Sequence, residues 1–399
     1  MLTLDRIYQA AHTLKGVARK TDLILSANIA PDCELWLKTE NLQITGSFKV
    51  RGAYFKIAML PQEEKALGVI ACSAGNHAQG VALSAMRAEI AATVFIPSVA
   101  PLSKIEAARR LGADVRLIDG VYDDAADAAD AFQREAGGVF VHPFDDIDVI
   151  AGQGTIGLEL LEQAADLEAV IVPVGGGGLI SGVAFAVKML NPACKVYGVQ
   201  AAGAGSMCSS FRDKKRTSLA NVSTFADGIA VKAPGAFTYE LCTRYVDEIV
   251  TISDDEIATA ILTLMEQQKL VAEGAGAAAV AAAMFGKLPI EGKKVCAVVS
   301  GGNIDVNILS RVINRGLLTT GRLSELKIEM LDKPGQLKEV SAIIAGFGAN
   351  VTKVMHNPGG ENTDINGCFL HISMETKNRD HFLEIRQAIQ TAGYTIVED

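Results

Sequence analysis

The sequence predicts an α/β protein: a parallel sheet wound by helices, followed by a small separate βαββαβ module. Short apolar segments at 69–72, 92–96 and 169–174 alternate with helix-length segments. Strands joined through helices run parallel, with right-handed crossovers. Four consecutive glycines, Gly175 to Gly178, follow one buried strand and open a helix. At 321–326 the character changes, and the remaining chain reads strand, helix, strand, strand, helix, strand, a ferredoxin-like order.

Composition narrows the class. A chain of 399 residues suggests two or three domains, and 49% hydrophobic residues are ample for large cores. A net charge of −9 gives no basic footprint, which argues against nucleic acid or an anionic membrane as partner. The 7 cysteines are odd in number and widely spread, with no C-x-x-C pair. That reads as a reduced, cytoplasmic protein without a disulfide framework or structural zinc; no metal site is expected. Asp5 and Arg6 interrupt any apolar run at the start, so no signal peptide is expected. The alanine-rich stretch 274–286 is too short for a membrane span and reads as a buried helix.

Taken in order, residues 1–30 read as helical and then irregular, and 34–38 as a strand leading into the loop around Lys49. Strand 69–72 leads into the turn Ser73-Ala74-Gly75-Asn76-His77 and a helix to about Arg87. Strand 92–96 follows, and Ser103 and Glu106 have capping-box spacing for a helix ending near Gly112. Strands at 115–118 and 139–141 come next. A helix after Gln153-Gly154-Thr155 runs to about Ala165, and strand 169–174 precedes the tetraglycine. Helix 179–190 and strand 195–199 repeat the cycle, and 203–235 reads as irregular. Ser253 and Glu256 form a second capping box for a helix to about Leu270. The alanine-rich helix, strand 294–299, the turn Ser300-Gly301-Gly302-Asn303 and helix 304–316 complete this region. The tail reads as strand 326–330, turn 332–335, helix 336–345, strand 350–356 and a turn at Pro358, Gly359 and Gly360. Strand 368–374, helix 379–392 and strand 394–397 end it.

The chemistry centres on Lys49, set after Phe48 among small and hydroxylated residues. Apolar surroundings and a neighbouring cation such as Arg51 would lower its pKa and suit it to attack a carbonyl. The glycine amides at 175–178 could converge on a phosphate, helped by the following helix. Leu179-Ile180 stand where a P-loop needs Lys and a hydroxyl residue. Ser181 and Gln200 break the dinucleotide pattern, so a lone phosphate ester fits better than ATP or NAD. The turn at 73–77 has free amides for a carboxylate, and His77 alone is as well explained by a structural hydrogen bond. A hydroxyl at Ser300 could meet a heterocycle nitrogen. A reactive lysine, a phosphate cup and two such turns together meet the requirements of pyridoxal 5'-phosphate.

The lysine stretch, Ser73 to Gly80, His142-Pro143-Phe144-Asp145-Asp146, the tetraglycine and Ser300 to Asn303 resemble, in that order, the threonine dehydratases of the fold-type II, tryptophan-synthase-beta-like pyridoxal-phosphate enzymes. The resemblance covers about residues 1–320. Asp332-Lys333-Pro334-Gly335 and Gly348-Ala349-Asn350-Val351 resemble an ACT domain, a module that binds small amino acids. The resemblance implies a large cofactor domain (1–65 and 146–320), an inserted small domain (66–145) and an ACT regulatory domain (326–399). It implies that Lys49 carries the cofactor covalently, with Phe48 beside the ring. Gly175, Gly176, Gly177, Gly178 and Leu179 would hold its phosphate, Asn76 its phenolic oxygen and Ser300 its pyridine nitrogen. Ser73, Ala74, Gly75, Asn76 and His77 would receive the substrate carboxylate, and Gly335 and Asn350 an amino-acid effector. The implied reaction is β-elimination of L-threonine and L-serine, with a homodimer or homotetramer as the assembly. The rival readings are serine racemase or serine dehydratase, a non-catalytic amino-acid sensor, and a nicotinamide oxidoreductase. Asp227 could join a cation site, but an Asp-Gly turn explains it as well.

Overall fold

The computed structural model describes residues 1–358 and 365–397, so Gly359 and Gly360 of the expected turn lie outside the described residues. The chain forms two compact units, Met1–Val306 and Asn307–Asp399.

In the first unit α1 (Leu4–Thr13), β1 (Leu23–Leu25) and β2 (Glu34–Lys38) precede α2 (Lys49–Ala58) and α3 (Gln62–Leu67). Then come β3 (Val69–Cys72), α4 (Asn76–Ala88), β4 (Ala92–Pro97), α5 (Leu102–Arg110), β5 (Asp114–Ile118), α6 (Tyr122–Ala136) and β6 (Val139–Phe140). The chain continues through α7 (Ile147–Gln163), β7 (Ala169–Pro173), α8 (Gly178–Leu190), β8 (Lys195–Ala201), α9 (Ser206–Arg212), α10 (Ala236–Tyr245) and β9 (Glu248–Ile252). It ends with α11 (Asp254–Thr263), α12 (Gly274–Met284) and β10 (Lys294–Val298).

Two sheets result. The larger has the order β1-β2-β10-β7-β8-β9, parallel throughout except where β1 runs antiparallel to β2. The smaller, β5-β4-β3-β6, is entirely parallel. β3 and β7 are buried along their whole lengths, as strands covered on both faces must be. The alanine-rich stretch is the buried helix α12.

Several expected boundaries move. No side chain caps α5: it starts after Pro101, which places Ser103 inside the helix rather than at its cap. The box at Ser253 is real, with Ser253 N donating to Glu256 Oε2 at 2.8 Å and Glu256 N to Ser253 Oγ at 3.2 Å. The helix expected after Thr155 begins at Ile147 instead, because Asp146 Oδ1 accepts from the amides of Asp148 and Val149. Its glycines are contact points within the helix. A Cβ on Gly152 would lie 2.6 Å from Gly52 Cα of α2, and one on Gly182 of α8 would lie 2.6 Å from Gly154 N. The span expected to be irregular contains α9, and α10 and β9 are further elements that the sequence left unassigned.

The second unit takes in most of α13 (Val306–Thr319), followed by β11 (Leu323–Leu331), α14 (Gln336–Gly346), β12 (Asn350–Pro358), β13 (Gly367–Glu375), α15 (Arg379–Thr391) and β14 (Thr395–Val397). From β11 onward this is the expected βαββαβ order, closed into an antiparallel sheet β12-β13-β11-β14. That arrangement is compatible with an ACT-like domain. Alternate residues of β11 and β13 enter a core with Val340, Ile344, Ile385 and Ile389 from the two helices.

Candidate active site

Lys49 opens α2 after a tightly wound approach. Thr45 and Gly46 both have left-handed backbone, at φ 69° and 71°. For a β-branched threonine that conformation is strained, and such strain is held only where the surroundings fix it. Here Asn303 Nδ2 donates to Thr45 O at 2.6 Å, and Gly302 N to Gly46 O at 2.9 Å. Phe48 N donates to Ser300 O at 3.1 Å. The turn after β10 therefore clamps the lysine loop.

The same turn reaches the start of α4. Asn303 Nδ2 also donates to Asn76 Oδ1 at 2.8 Å, while Asn76 Nδ2 donates to Glu273 Oε1 at 2.6 Å. Glu273 N in turn donates to Gly301 O at 3.0 Å. Thr45, Asn76, Glu273 and Asn303, from four separate stretches of the sequence, thus belong to one hydrogen-bonded network beside Lys49.

Residues 142–145 join Lys49 to the tetraglycine. Lys49 Nζ donates to Pro143 O at 2.7 Å. Phe144 packs on the glycines so closely that a Cβ at Gly176 would lie 2.4 Å from its ring. Asp145 accepts from Ala236 N at 2.8 Å and Thr238 N at 3.1 Å, and Thr238 Oγ1 donates to Gly176 O at 2.6 Å. The first amide bond of α8 runs from Ser181 N to Gly177 O at 2.9 Å. The amides of Gly178, Leu179 and Ile180 thus precede the helix's own bonding and suit an anion. Gln200, where a ribose-binding acid would stand, instead donates to Gly175 O at 3.4 Å and supports the loop.

The electrostatics differ from expectation in their cause. Half-buried Lys49 has its amine pulled down to about 8, chiefly by lost hydration, against the opposing charge of Glu273. Arg51 is not the cation responsible. It is buried between Glu40, at 2.8 Å, and Glu159, at 2.6 Å, which neutralise it. Burial raises the Glu273 carboxyl to about 7, aided by Asp227 and opposed by Lys104, Asn76 and Lys49. His77 Nε2 donates to Val141 O at 2.7 Å, and burial, with Lys49, lowers the ring to about 3. The neutral ring leaves a buried Nδ1 without a protein partner, as are the hydroxyls of Thr45 and Ser47. Ser73 Oγ accepts from Gly75 N at 3.2 Å, and Ala74 packs on the core beneath that turn. Asp227 pairs with Lys104 and accepts from Gly228 N at 2.8 Å, the geometry of an Asp-Gly turn.

Sequence reasoning missed Glu273, Asn303 and Thr238. A lone acid ahead of an apolar alanine-rich run was the available signal for Glu273. Gly335 and Asn350 belong to the second unit. Gly335, at φ 99°, caps α14, and Asn350 Nδ2 donates to Glu375 Oε2 at 3.0 Å.

Residues 14–301 match the model of the pyridoxal-phosphate dependent enzyme family. The chain is 50% identical over 398 residues to an L-threonine ammonia-lyase of Thermotoga maritima, covering 99% of both chains. It is 44% identical over 315 residues to a catabolic L-threonine dehydratase of Escherichia coli (strain K12), covering 78% of this chain and 96% of that one. Among solved structures, the processed form of threonine deaminase isoform 2 from Solanum lycopersicum is similar with a TM-score of 0.74 and 38% identity, over 79% of this chain and 95% of that one. The residues present fit pyridoxal phosphate: a lysine of lowered pKa, a glycine loop with unbonded amides, and orphaned buried hydroxyls and an imidazole nitrogen beside them.

Proposed function

We propose, on the premise that this chain belongs to the pyridoxal-phosphate dependent enzyme family, that it converts L-threonine to 2-oxobutanoate and ammonia, and L-serine to pyruvate and ammonia. The observation that carries this reading is a full-length likeness to a threonine ammonia-lyase in a chain whose Lys49 bonds to Pro143, next to the Phe144 that packs on the glycine loop. Bound pyridoxal phosphate supplies the electron sink that makes a substrate Cα proton acidic. Lys49 would carry the cofactor, with Phe48 beside it and the amides of Gly175, Gly176, Gly177, Gly178 and Leu179 at its phosphate. Asn76 and Ser300 would hold the ring. The turn at Ser73, Ala74, Gly75, Asn76 and His77 would orient the substrate carboxylate. Lys49 takes the Cα proton, for which an amine near neutrality is suited. The β-hydroxyl takes up a proton and leaves as water, and hydrolysis of the resulting enamine consumes one water and releases ammonia.

The division into a large domain (1–65 and 146–320), a small domain (66–145) and a regulatory domain (326–399) belongs to the same proposal. So does amino-acid binding near Gly335 and Asn350, with isoleucine or valine as the effector class and isoleucine biosynthesis as the setting. A homodimer or homotetramer in the cytoplasm completes the reading. Among the described residues no helix is long and apolar enough to cross a membrane.

The purified protein should absorb visible light and form keto acid from L-threonine. Borohydride should fix the cofactor on Lys49, and Lys49→Ala should abolish turnover. A fully active Lys49→Ala variant, or no keto acid from the wild type, would overturn the assignment.

A further inference from the structure

The second unit holds a cluster of side chains with no part in the elimination. Asp332, His356 and Cys368 bring a carboxylate oxygen, an imidazole nitrogen and a thiol sulfur within 4.8 Å of one another. Strand register causes the meeting. Cys368 of β13 pairs with Met330 of β11 on one side and with Pro358 of β12 on the other. Residues two apart on a strand share a face, so His356 points with Pro358 to the side that Cys368 occupies. Asp332 follows β11, held where its amide donates to Asn366 O at 2.7 Å. His356 and Asp332 are exposed, whereas Cys368 is buried beneath them.

We propose that Asp332, His356 and Cys368 bind one zinc ion per chain, with a fourth position open to water or another ligand. Zinc takes thiolate, imidazole and carboxylate together, whereas magnesium and calcium favour oxygen alone. Nitrogen and oxygen ligands about 2.0–2.1 Å from a tetrahedral ion lie roughly 3.3 Å apart. His356 Nε2 and Asp332 Oδ1 are 3.3 Å apart already. A surface Asp–His pair would need no sulfur below it; the buried thiol is a separate observation that points to the same place. Cys368 gives up its proton on binding the ion. The ligands come from three separate positions around the sheet, so no short ligand motif marks them in the sequence.

The test uses the full-length holoenzyme, freed of metal with a chelator and titrated calorimetrically with Zn²⁺. One ion per chain is expected. His356→Gln and Asp332→Asn change exposed residues and should each weaken binding at least about tenfold. His356→Gln should leave visible absorbance and threonine turnover unchanged. Cobalt in place of zinc should give a thiolate charge-transfer band that Cys368→Ser removes. No binding by the wild type, or binding of equal strength in both exposed-residue variants, would overturn the proposal.

Discussion

Lys49 and Glu273 are a cation and an acid whose burial moves both toward neutrality. The amine must be uncharged to attack a carbonyl, so cofactor uptake by apoprotein should speed up as pH rises through about 8, the value to which lost hydration lowers Lys49. Stopped-flow absorbance across pH checks this. Ionised Glu273 favours the charged amine and so opposes the shift. Glu273→Gln should therefore move the uptake midpoint below that of the wild type; an unchanged or higher midpoint would contradict the coupling. Arg51 belongs to a different arrangement. Burial alone would raise the Glu40 carboxyl, but Arg51, Lys38 and Thr21 together hold it below its ordinary range. That stabilisation is present at neutral pH and is lost as pH falls through the lowered value. Arg51→Met would strand Glu40 without its closest cation, at a cost of about 3–5 kcal/mol in denaturant unfolding.

Helices α2, α7 and α8 meet through Gly52, Gly152, Gly154 and Gly182, where backbones approach too closely for side chains. This packing holds Lys49, at the start of α2, near the glycine loop that opens α8. A Cβ at Gly182 would lie 2.3 Å from Ile150 O and 2.6 Å from Gly154 N, both rigid backbone atoms. Gly182→Ala should cost about 1–3 kcal/mol by overpacking. If the amides at the start of α8 hold the cofactor phosphate, as proposed, the same variant should bind the cofactor more weakly. Unfolding curves and cofactor titration give the two readings, and loss of neither would show that the helices can part freely.

The whole chain joins a unit with Lys49, the glycine loop and the turns at 73–77 and 300–303 to a second unit that holds none of these. The dehydratase relative that aligns with only 78% of this chain shows that the remainder is not common to all such proteins. Deleting the residues after Gly321 should leave a coloured, active enzyme. Isoleucine or valine should alter the full-length kinetics, through a coupling of about 1–3 kcal/mol, and leave the shortened enzyme unaffected. Rates of both proteins, with and without each amino acid, would decide it. Equal responses in the two would remove the regulatory role from residues 326–399.

The sequence by itself determined the alternation of strands and helices, the βαββαβ tail, and the lysine, glycine and serine turns. Each is a local pattern: periodicity, a run without side chains, or a hydroxyl after a strand. It started the helix only after Gln153-Gly154-Thr155, which left Gly152 and Gly154 outside the helix that in fact begins at Ile147. Only packing showed them to be helix contacts, since a gain from close approach depends on what lies across the interface. It made Arg51 the cation acting on Lys49, because adjacency in sequence says nothing about which acids fold around a guanidinium. Glu273, Asn303 and Thr238 join the site through bonds to residues up to 258 positions away. The same holds for Asp332, His356 and Cys368, which strand register alone brings together. Propensity is a property of neighbouring residues, whereas electrostatics and ligand geometry depend on distances in space, and these the tertiary structure decided.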